Sequence, residues 1–343
     1  MVTLRDHYDV VIVGAGVSGL ECAKTLCDSN LRVLILEKNR SLGRKTCAGG
    51  VTLQDLEYIP RRVLNFPLKR IRIHYKDLEA IFPKREGFIS TINREKLSSF
   101  YVRYIERHKN ISILTARSVS RIISDNSLKL DNGRRVKFNF LVGADGASSI
   151  VRRYLCIPVK KMEFAIQYKI PRRFHDFEIY LDDERFGTGY LWVFPHRDFT
   201  YIGSGSDMKY IDPKTLKSNL ELWLRSRRIS LSNAKLEGAL INYDYKGYRF
   251  NNFFLVGDAA GLTSGLTGKG IYAALISGRQ VALEIMGKEK GKENLISRWL
   301  KEKRKQERYM SFVKNKVLRK IAFSIGINAL KTVLIQHNLI NSF

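Results

Sequence analysis

Gly14, Gly16 and Gly19 stand in the spacing Gly-x-Gly-x-x-Gly directly behind the β-branched run Val10-Val11-Ile12-Val13, and a segment of helical pattern follows them. Residues of that type and order suit the holding of a pyrophosphate. Gly14 permits a tight turn, Gly16 lets the backbone approach the phosphates, and Gly19 lets helix and strand pack closely, while the N–H groups of the helix's first turn face the anion. Glu37 closes the next apolar run, where a carboxylate accepts hydrogen bonds from ribose hydroxyls and repels a 2′-phosphate; Lys38, beside it, is counted to the same site. The bland alternative is a tight turn with an unrelated surface glutamate, and strand, glycines, helix and acid in one order weigh against it.

NAD and FAD satisfy this motif equally, so the choice rests on two later segments. Gly143-Ala144-Asp145-Gly146 and Leu255-Val256-Gly257-Asp258 each place an aspartate where an apolar strand ends in a glycine turn. A third glycine turn, Gly265 to Gly270 with Gly268 and Lys269 inside it, leads into a helix from Ile271, so that backbone donors and the positive helix end point at whatever the turn wraps. The glycine segments in this order resemble the FAD-dependent family that includes aromatic hydroxylases, flavin halogenases and geranylgeranyl reductases. The resemblance implies that Asp258 binds the ribityl chain, that Asp145 lies near the pyrophosphate, and that the last turn holds the flavin pyrimidine edge, where fixed donors stabilise a reduced, anionic flavin. Lys269 adds a cation there in one reading; a solvated lysine is the ordinary expectation.

Two shorter motifs narrow the resemblance to geranylgeranyl reductases: Cys47-Ala48-Gly49-Gly50, and Tyr190-x-Trp192-x-Phe194-Pro195 followed by Gly203-x-Gly205. A strand puts the three aromatics on one face, the proline ends it, and the later glycines leave room for a bulky ligand. Core packing would explain these aromatics without the resemblance; with it, cavity lining is expected. Cys47 alone would be a small buried hydrophobe, but two following glycines favour close approach to a cofactor. Arg44 and Lys45 are expected near the pyrophosphate, and Arg94 opens an Arg-x-x-Leu-x-x-Phe helix similar to the family's element near the flavin; solvated cations are the alternative for all three. The likeness spans residues 8 to about 285 and departs from the family at Ser264-Gly265, where these reductases commonly have asparagine and proline.

The elements that must position these residues follow from periodicity. A βαβ plan covers residues 8–37, with its helix from about Ser18 to Asp28; a helical pattern runs from Arg94 to His108, a hairpin turn falls at Asp131-Asn132-Gly133, and Phe138 to Val142 is a buried strand. Short alternating runs at Ile71–Tyr75 and Phe88–Thr91, and a period of two from Glu163 to Gly205, mark a second sheet. The expected fold is α/β: an FAD-binding, Rossmann-like dinucleotide domain from 1–60, 86–160 and 246–290, interrupted by an antiparallel-sheet substrate domain from 61–85 and 161–245, with a basic amphipathic helical segment over 291–343.

Sixty lysines and arginines against 33 acids leave a net charge of +27, which attracts phosphates, anionic lipid or nucleic acid. Nucleic acid is not the expected partner. The cysteines Cys22, Cys27, Cys47 and Cys156 show neither metal-ligand spacing nor disulfide density, which fits a reducing, cytoplasmic setting. Asp258, Lys269 and many glycines interrupt the apolar stretch from Phe253 to Gly278, against a membrane span.

What the resemblance implies is reduction of carbon–carbon double bonds in geranylgeranyl chains of a lipid or its precursor, by hydride from flavin N5. Tyr190, Trp192 and Phe194 would stabilise developing positive charge, and the proton donor is Cys47, a tyrosine or a held water. The electron donor is left open among nicotinamide, a reduced deazaflavin and a ferredoxin. The rivals are a flavin monooxygenase or halogenase, whose Trp-x-Trp-x-Ile-Pro is close to the aromatic motif here, and a flavin-bearing lipid-binding protein without turnover. Near the end, Lys301, Lys303, Arg304, Lys305 and Arg308 crowd before Phe312, and Val313, Val317 and Ile321 share one helical face. Either this helix docks with a solvated basic face, or it attaches the protein to an anionic membrane on the cytoplasmic side. Lys331 and His337 argue against a span from Ile321 to Ile340.

Overall fold

The computed structural model describes residues 4–43, 45–68, 70–83, 89–289, 291 and 293–330. Its first half runs β1 (His7–Val13), α1 (Val17–Leu26), β2 (Val33–Leu36), β3 (Gly50–Thr52), β4 (Leu64–Pro67), β5 (Arg70–Tyr75), β6 (Leu78–Pro83), β7 (Ile89–Ile92), α2 (Arg94–Ile105), β8 (Ile111–Leu114), β9 (Val119–Ser124), β10 (Ser127–Leu130) and β11 (Arg135–Gly143). There follow α3 (Ile150–Tyr154), β12 (Met162–Ile170), β13 (Phe177–Leu181), β14 (Tyr190–Pro195), β15 (Thr200–Asp207), α4 (Pro213–Ser226), β16 (Lys235–Asn242), β17 (Arg249–Phe250), β18 (Phe253–Leu255), α5 (Ile271–Ile285), α6 (Leu295–Val313) and α7 (Lys316–Leu330).

The nucleotide half is the sheet β17-β18-β11-β1-β2-β8, extended through the β9–β10 hairpin. Strands β8, β2, β1, β11 and β18 pair in parallel. Parallel strands need helical crossovers that cover the sheet, which is why Val10–Val13 of β1 and all of β2 are apolar and buried. Helices α1 and α5 pack on each other closely because glycines remove the obstacle: a Cβ on Gly278 would lie 2.2 Å from the Ser18 carbonyl oxygen.

The second sheet has the order β16-β12-β15-β14-β13-β5-β6. It is antiparallel except for the β13–β5 pair, which is parallel, a departure from the wholly antiparallel expectation. The exception arises because β5 reaches this sheet from an earlier part of the chain and pairs at its edge. Side-chain alternation divides the faces. Ile166, Tyr168, Leu191, Val193 and Ile202 pack with α4 through Leu216, Leu220, Trp223 and Leu224. Helix α4 starts where Asp212 accepts the N–H groups of Lys214 and Thr215, with Pro213 in its first turn. The opposite face, carrying Ala165, Gln167, Tyr190 and Trp192, is left to line a cleft. A third, small sheet, β3-β7-β4, stands at one end of that cleft.

The chain crosses between the two large sheets four times: out to β5 and back after β6, then out again after α3 and back after β16. The last two crossings converge on Arg152, whose guanidinium is buried and donates to the carbonyls of Ile157, Pro158, Asp244 and Ala259. Helix α7 lies against β5 and β6, with Ile327 and Phe323 packed among Ile73, Tyr75 and Ala80.

Candidate active site

A cleft of about 1020 Å³ runs between the nucleotide half and the free face of the second sheet. At one end β1 stops and the chain turns at Gly14 with φ of 103°, a conformation open to glycine. A Cβ there would lie 2.4 Å from the Ala144 carbonyl oxygen, and one on Gly19 would lie 2.1 Å from that of Gly14. Gly16, by contrast, faces space: its Cβ would meet nothing nearer than 3.9 Å. This is the division of roles that spacing implied, two glycines for close packing and one for the approach of a ligand. No side chain caps the first turn of α1, so its N–H groups are left to the cleft. Glu37 is buried, takes the N–H of Ala15 at 2.9 Å through one oxygen and both the N–H and the side-chain amide of Asn39 through the other, and lines the cleft with Lys38. The oxygen that takes the Ala15 N–H keeps a second lone pair for a ribose hydroxyl.

Asp145 and Gly146 also line this end. One Asp145 oxygen accepts the N–H of Ile150 at 2.7 Å, so the carboxylate fixes the start of α3, and burial raises its pKa. Farther along, Gly257 and Asp258 follow β18. Asp258 takes the Thr263 hydroxyl at 2.6 Å and the Lys45 ammonium at 2.6 Å. Lys45 is thus tied to the aspartate of the expected ribityl site. Arg44 lies outside the described residues. Arg94 opens α2 and lines the cleft.

The turn before α5, where the chain departs from the family pattern, is closed by its own hydrogen bonds. The Ser264 hydroxyl accepts the N–H groups of Leu266 and Thr267, and its carbonyl accepts that of Gly268. Gly270 and Ile271 face the cleft, and no side chain caps α5. Lys269 is not the solvated lysine expected: it is partly buried, donates to Gln54 at 2.6 Å and lies over the Tyr272 ring. Burial lowers its pKa while the Asp55 carboxylate opposes the shift. Asp55, buried and bound to the Thr52 N–H and hydroxyl, was not singled out in the sequence, because nothing in Gln54-Asp55 marks it apart from a surface turn.

Cys47, Ala48, Gly49 and Gly50 form the wall opposite α5's turn, with the Cys47 sulfur accepting the N–H of Gly49 at 3.4 Å. Phe194 rests on Gly50, where a Cβ would lie 2.8 Å from its ring, and stacks on Phe177 at 3.8 Å between centroids. The Tyr190 hydroxyl donates to the Thr267 carbonyl at 2.7 Å, binding the strand to the turn before α5, and burial raises its pKa strongly. Trp192 packs over Gly203 and Gly205. Lining and packing therefore coexist in these three aromatics. A hydrogen-bond chain fixes the wall: Asn65 donates to Nδ1 of His196, whose Nε2 hydrogen bonds the Ala48 carbonyl, and Thr91 donates to the carbonyl of Pro195. Burial pushes the His196 pKa down to about 4, so the ring is neutral and Nε2 is the donor.

Among the buried side-chain polar atoms without a partner in the described residues, Asp55 Oδ1, Arg94 Nε, Asp145 Oδ1 and Trp192 Nε1 all belong to residues of the cleft wall. Buried polar groups of this kind are paired in native proteins. Their placement along the whole cleft fits one long ligand with polar groups at intervals. With the Gly16 opening and two uncapped helix starts, the residues present fit FAD.

Comparison with known proteins agrees. A model of the Thi4 family matches residues 3–135. The solved structure titled as a geranylgeranyl bacteriochlorophyll reductase-like protein from Thermoplasma acidophilum aligns with a TM-score of 0.79 at 19% identity, over 95% of this chain and 92% of that one. A p-nitrophenol 4-monooxygenase from Pseudomonas putida aligns with a TM-score of 0.75 at 15% identity, over 99% and 98% of the two chains. These likenesses establish the fold, shared by reductases and monooxygenases. Fold, site and relatives together make the chain an FAD-dependent oxidoreductase.

Within that class it resembles the geranylgeranyl reductases. It is 28% identical to the digeranylgeranylglycerophospholipid reductase of Methanospirillum hungatei over 80% of this chain and 75% of that protein. To the reductase of the same name from Methanocaldococcus jannaschii it is 26% identical, over 93% and 88%. An uncharacterised protein of Methanosarcina barkeri is 27% identical over all of this chain and 89% of its own length.

Proposed function

We propose that the chain saturates carbon–carbon double bonds of geranylgeranyl chains carried by a lipid or lipid precursor. The observation that carries this reading is the far end of the cleft. Past Trp192 and Phe194 the wall becomes Ile71, Ile73, Ile179, Leu181 and Phe323, an apolar channel leading from the flavin-edge turn to α7. A polar aromatic substrate has no use for such a channel, whereas burying an isoprenoid chain in it contributes about 25 cal/mol per Å² of apolar surface. The names of the methanogen reductases support the same substrate class.

FAD, when bound and reduced, supplies the hydride. The chain's own residues do the rest. Glu37, Gly16 and the start of α1 would hold the adenosine and phosphates, Asp258 the ribityl chain, and the turn at Gly268–Ile271 the pyrimidine edge. Tyr190 clamps that turn to the substrate sheet, and the apolar walls exclude water. Under anaerobic conditions, protein reduced by nicotinamide, deazaflavin or ferredoxin in turn should be reoxidised on adding a digeranylgeranyl glycerolipid, whose mass rises by two hydrogens per bond reduced. A flavin that stays reduced with that lipid and reacts with oxygen through a hydroperoxide overturns the reading in favour of a monooxygenase.

The C-terminal helices supply the lipid with an approach, in this reading. Val313 does not join the exposed face expected of it: it is buried, and the helix breaks between α6 and α7. Lys303 is likewise no part of a solvated basic run, being buried with its ammonium on the carbonyls of Tyr243 and Thr263. The exposed apolar residues are instead Phe312, Val317, Leu318, Ile321 and Ile325, with Lys316 and Lys320 exposed between them. No helix among the described residues is long and apolar enough to cross a membrane. Lys331, His337 and Ile340 lie outside the described residues. A surface of this kind on α7, beside Phe323, would rest on an anionic bilayer, each cation contributing roughly 1 kcal/mol. Sedimentation with anionic liposomes at low salt, reduced by I321E and I325E together, tests it; equal sedimentation of the variant removes the surface from the proposal.

A further inference from the structure

Addition of hydrogen across an isolated alkene needs a proton at one carbon as well as a hydride at the other, and three groups of the wall come into question. The Tyr190 hydroxyl is committed to the Thr267 carbonyl. The Cys47 sulfur accepts the Gly49 N–H, which leaves its S–H as the rival donor. The third is a carboxyl on β12. Glu163, Ala165 and Gln167 alternate along one edge of that strand and all three line the cleft. Gln167 is spoken for, since its amide donates to Glu237 at 3.1 Å. Glu163 makes no hydrogen bond or ion pair among the described residues.

Register places it near the reacting end. Glu163 pairs with Asp207 on β15, and the next residue on the same face, Ala165, pairs with Gly205, which in turn pairs with Tyr190 on β14. Alanine and glycine at those two positions put only small groups between the carboxyl and the aromatic strand, whose Trp192 ring packs over Gly205. We propose, resting on the reductase reading above, that Glu163 is the proton donor to the substrate double bond. The π bond breaks, one carbon takes the hydride and the other the carboxyl proton, so that the alkene gains two electrons that the cofactor loses. The resulting carboxylate recovers its proton from water.

The groups around Glu163 keep that proton on it. Asp207 on β15 is buried, takes the Tyr243 hydroxyl and the Lys209 N–H, and presents a like charge. Lys303 on α6 opposes it, but the ammonium is already shared among the carbonyls of Tyr243 and Thr263 and the carboxylate of Glu307, to which Lys161 is also paired. On β14 the facing titratable group is Tyr190, and on the loop after β16 it is Tyr243, both neutral. Burial first and Asp207 second push the Glu163 pKa up to about 8, so the acid is protonated at neutral pH. Since the folded value lies above the ordinary carboxyl value of 4.5, the stability Glu163 contributes is full below that value and is lost as pH rises through about 8.

The test uses the FAD-loaded full chain. E163Q should bind FAD and lipid as the wild type does and lose alkene reduction by about a hundredfold or more, and E163D should recover part of it. In the wild type, kcat should fall above about pH 8, and that limb should be missing from the residual rate of E163Q. A readout independent of turnover is the infrared carbonyl band of a protonated carboxylic acid, present at pH 7 in wild type and absent in E163Q, also without FAD. If the wild type reduces the lipid and E163Q does so equally well, or if no such band distinguishes the two, the donor role is overturned while the reductase reading stands. A wild type that reduces no alkene overturns both.

Discussion

The two ends of the cleft are built from different material. At the nucleotide end the backbone does the work: Gly14 turns where a Cβ would strike the Ala144 carbonyl, Gly16 opens toward the ligand, and two helices present uncapped N–H groups. At the roof the side chains do it, on a sheet whose other face is the packing surface for α4. A backbone-built site tolerates almost no change at its glycines and takes a ligand common to many enzymes. A side-chain-built wall can be replaced residue by residue without loss of the fold, which is how one fold carries reductases and monooxygenases.

That contrast can be broken most directly at Gly14. The variant G14A combines a positive φ with an overlap against backbone that cannot move aside, and FAD retention should fall by about a hundredfold or more, read from the flavin-to-protein absorbance ratio. Full retention would show that the nucleotide end is more plastic than its geometry. At the seam of the two ends, His196 is neutral in the folded protein with a pKa of about 4, below its ordinary value of 6.5. Folded protein therefore forgoes a proton that unfolded protein takes up, and stability should be complete above pH 6.5 and lost as pH falls toward 4, by on the order of 3 kcal/mol. Denaturant titrations should show that slope, and H196Q should flatten it.

Asp258 sharpens the comparison, since it is a side chain within the backbone-built end. D258A removes the partner of Lys45 and Thr263 together with the expected ribityl contact, and FAD should bind roughly thirtyfold more weakly, about 2 kcal/mol. Unchanged affinity by flavin fluorescence would assign the carboxylate to structure alone. The smallest effect is expected at the roof. W192A should leave FAD occupancy unchanged and lower kcat/KM for the isoprenoid by about fivefold, the value of a lost aromatic contact of about 1 kcal/mol. Wild-type kinetics in this variant would return Trp192 to packing.

The same contrast explains what the amino-acid order disclosed. Glycine at Gly14, Gly16 and Gly19 is demanded by local geometry, so the pyrophosphate turn was legible, as were the strands around it and the aromatic strand ending at Pro195. Glu163 was not, because its meaning depends on Asp207, which stands opposite only after β12 and β15 pair. Lys269 and Lys303 were misjudged for the same reason: a lysine shows its burial only when Gln54 and Asp55, or the carbonyls of Tyr243 and Thr263, have been brought to it. The parallel β13–β5 pair involves segments a hundred residues apart and leaves no trace in period or composition.

Arg152 has a bearing on how the protein moves. One planar cation grips two of the four strands of chain that connect the halves, through Ile157 and Pro158 on the later outgoing crossing and Asp244 on its return. Two connections clamped at one point restrain rocking of the roof there. In the reductase reading proposed above, a long ligand would enter lengthwise, tail first, from the end at Phe323. On that proposal, release after each reduction would be a sliding process, and a chain with several double bonds would advance along the channel without leaving it.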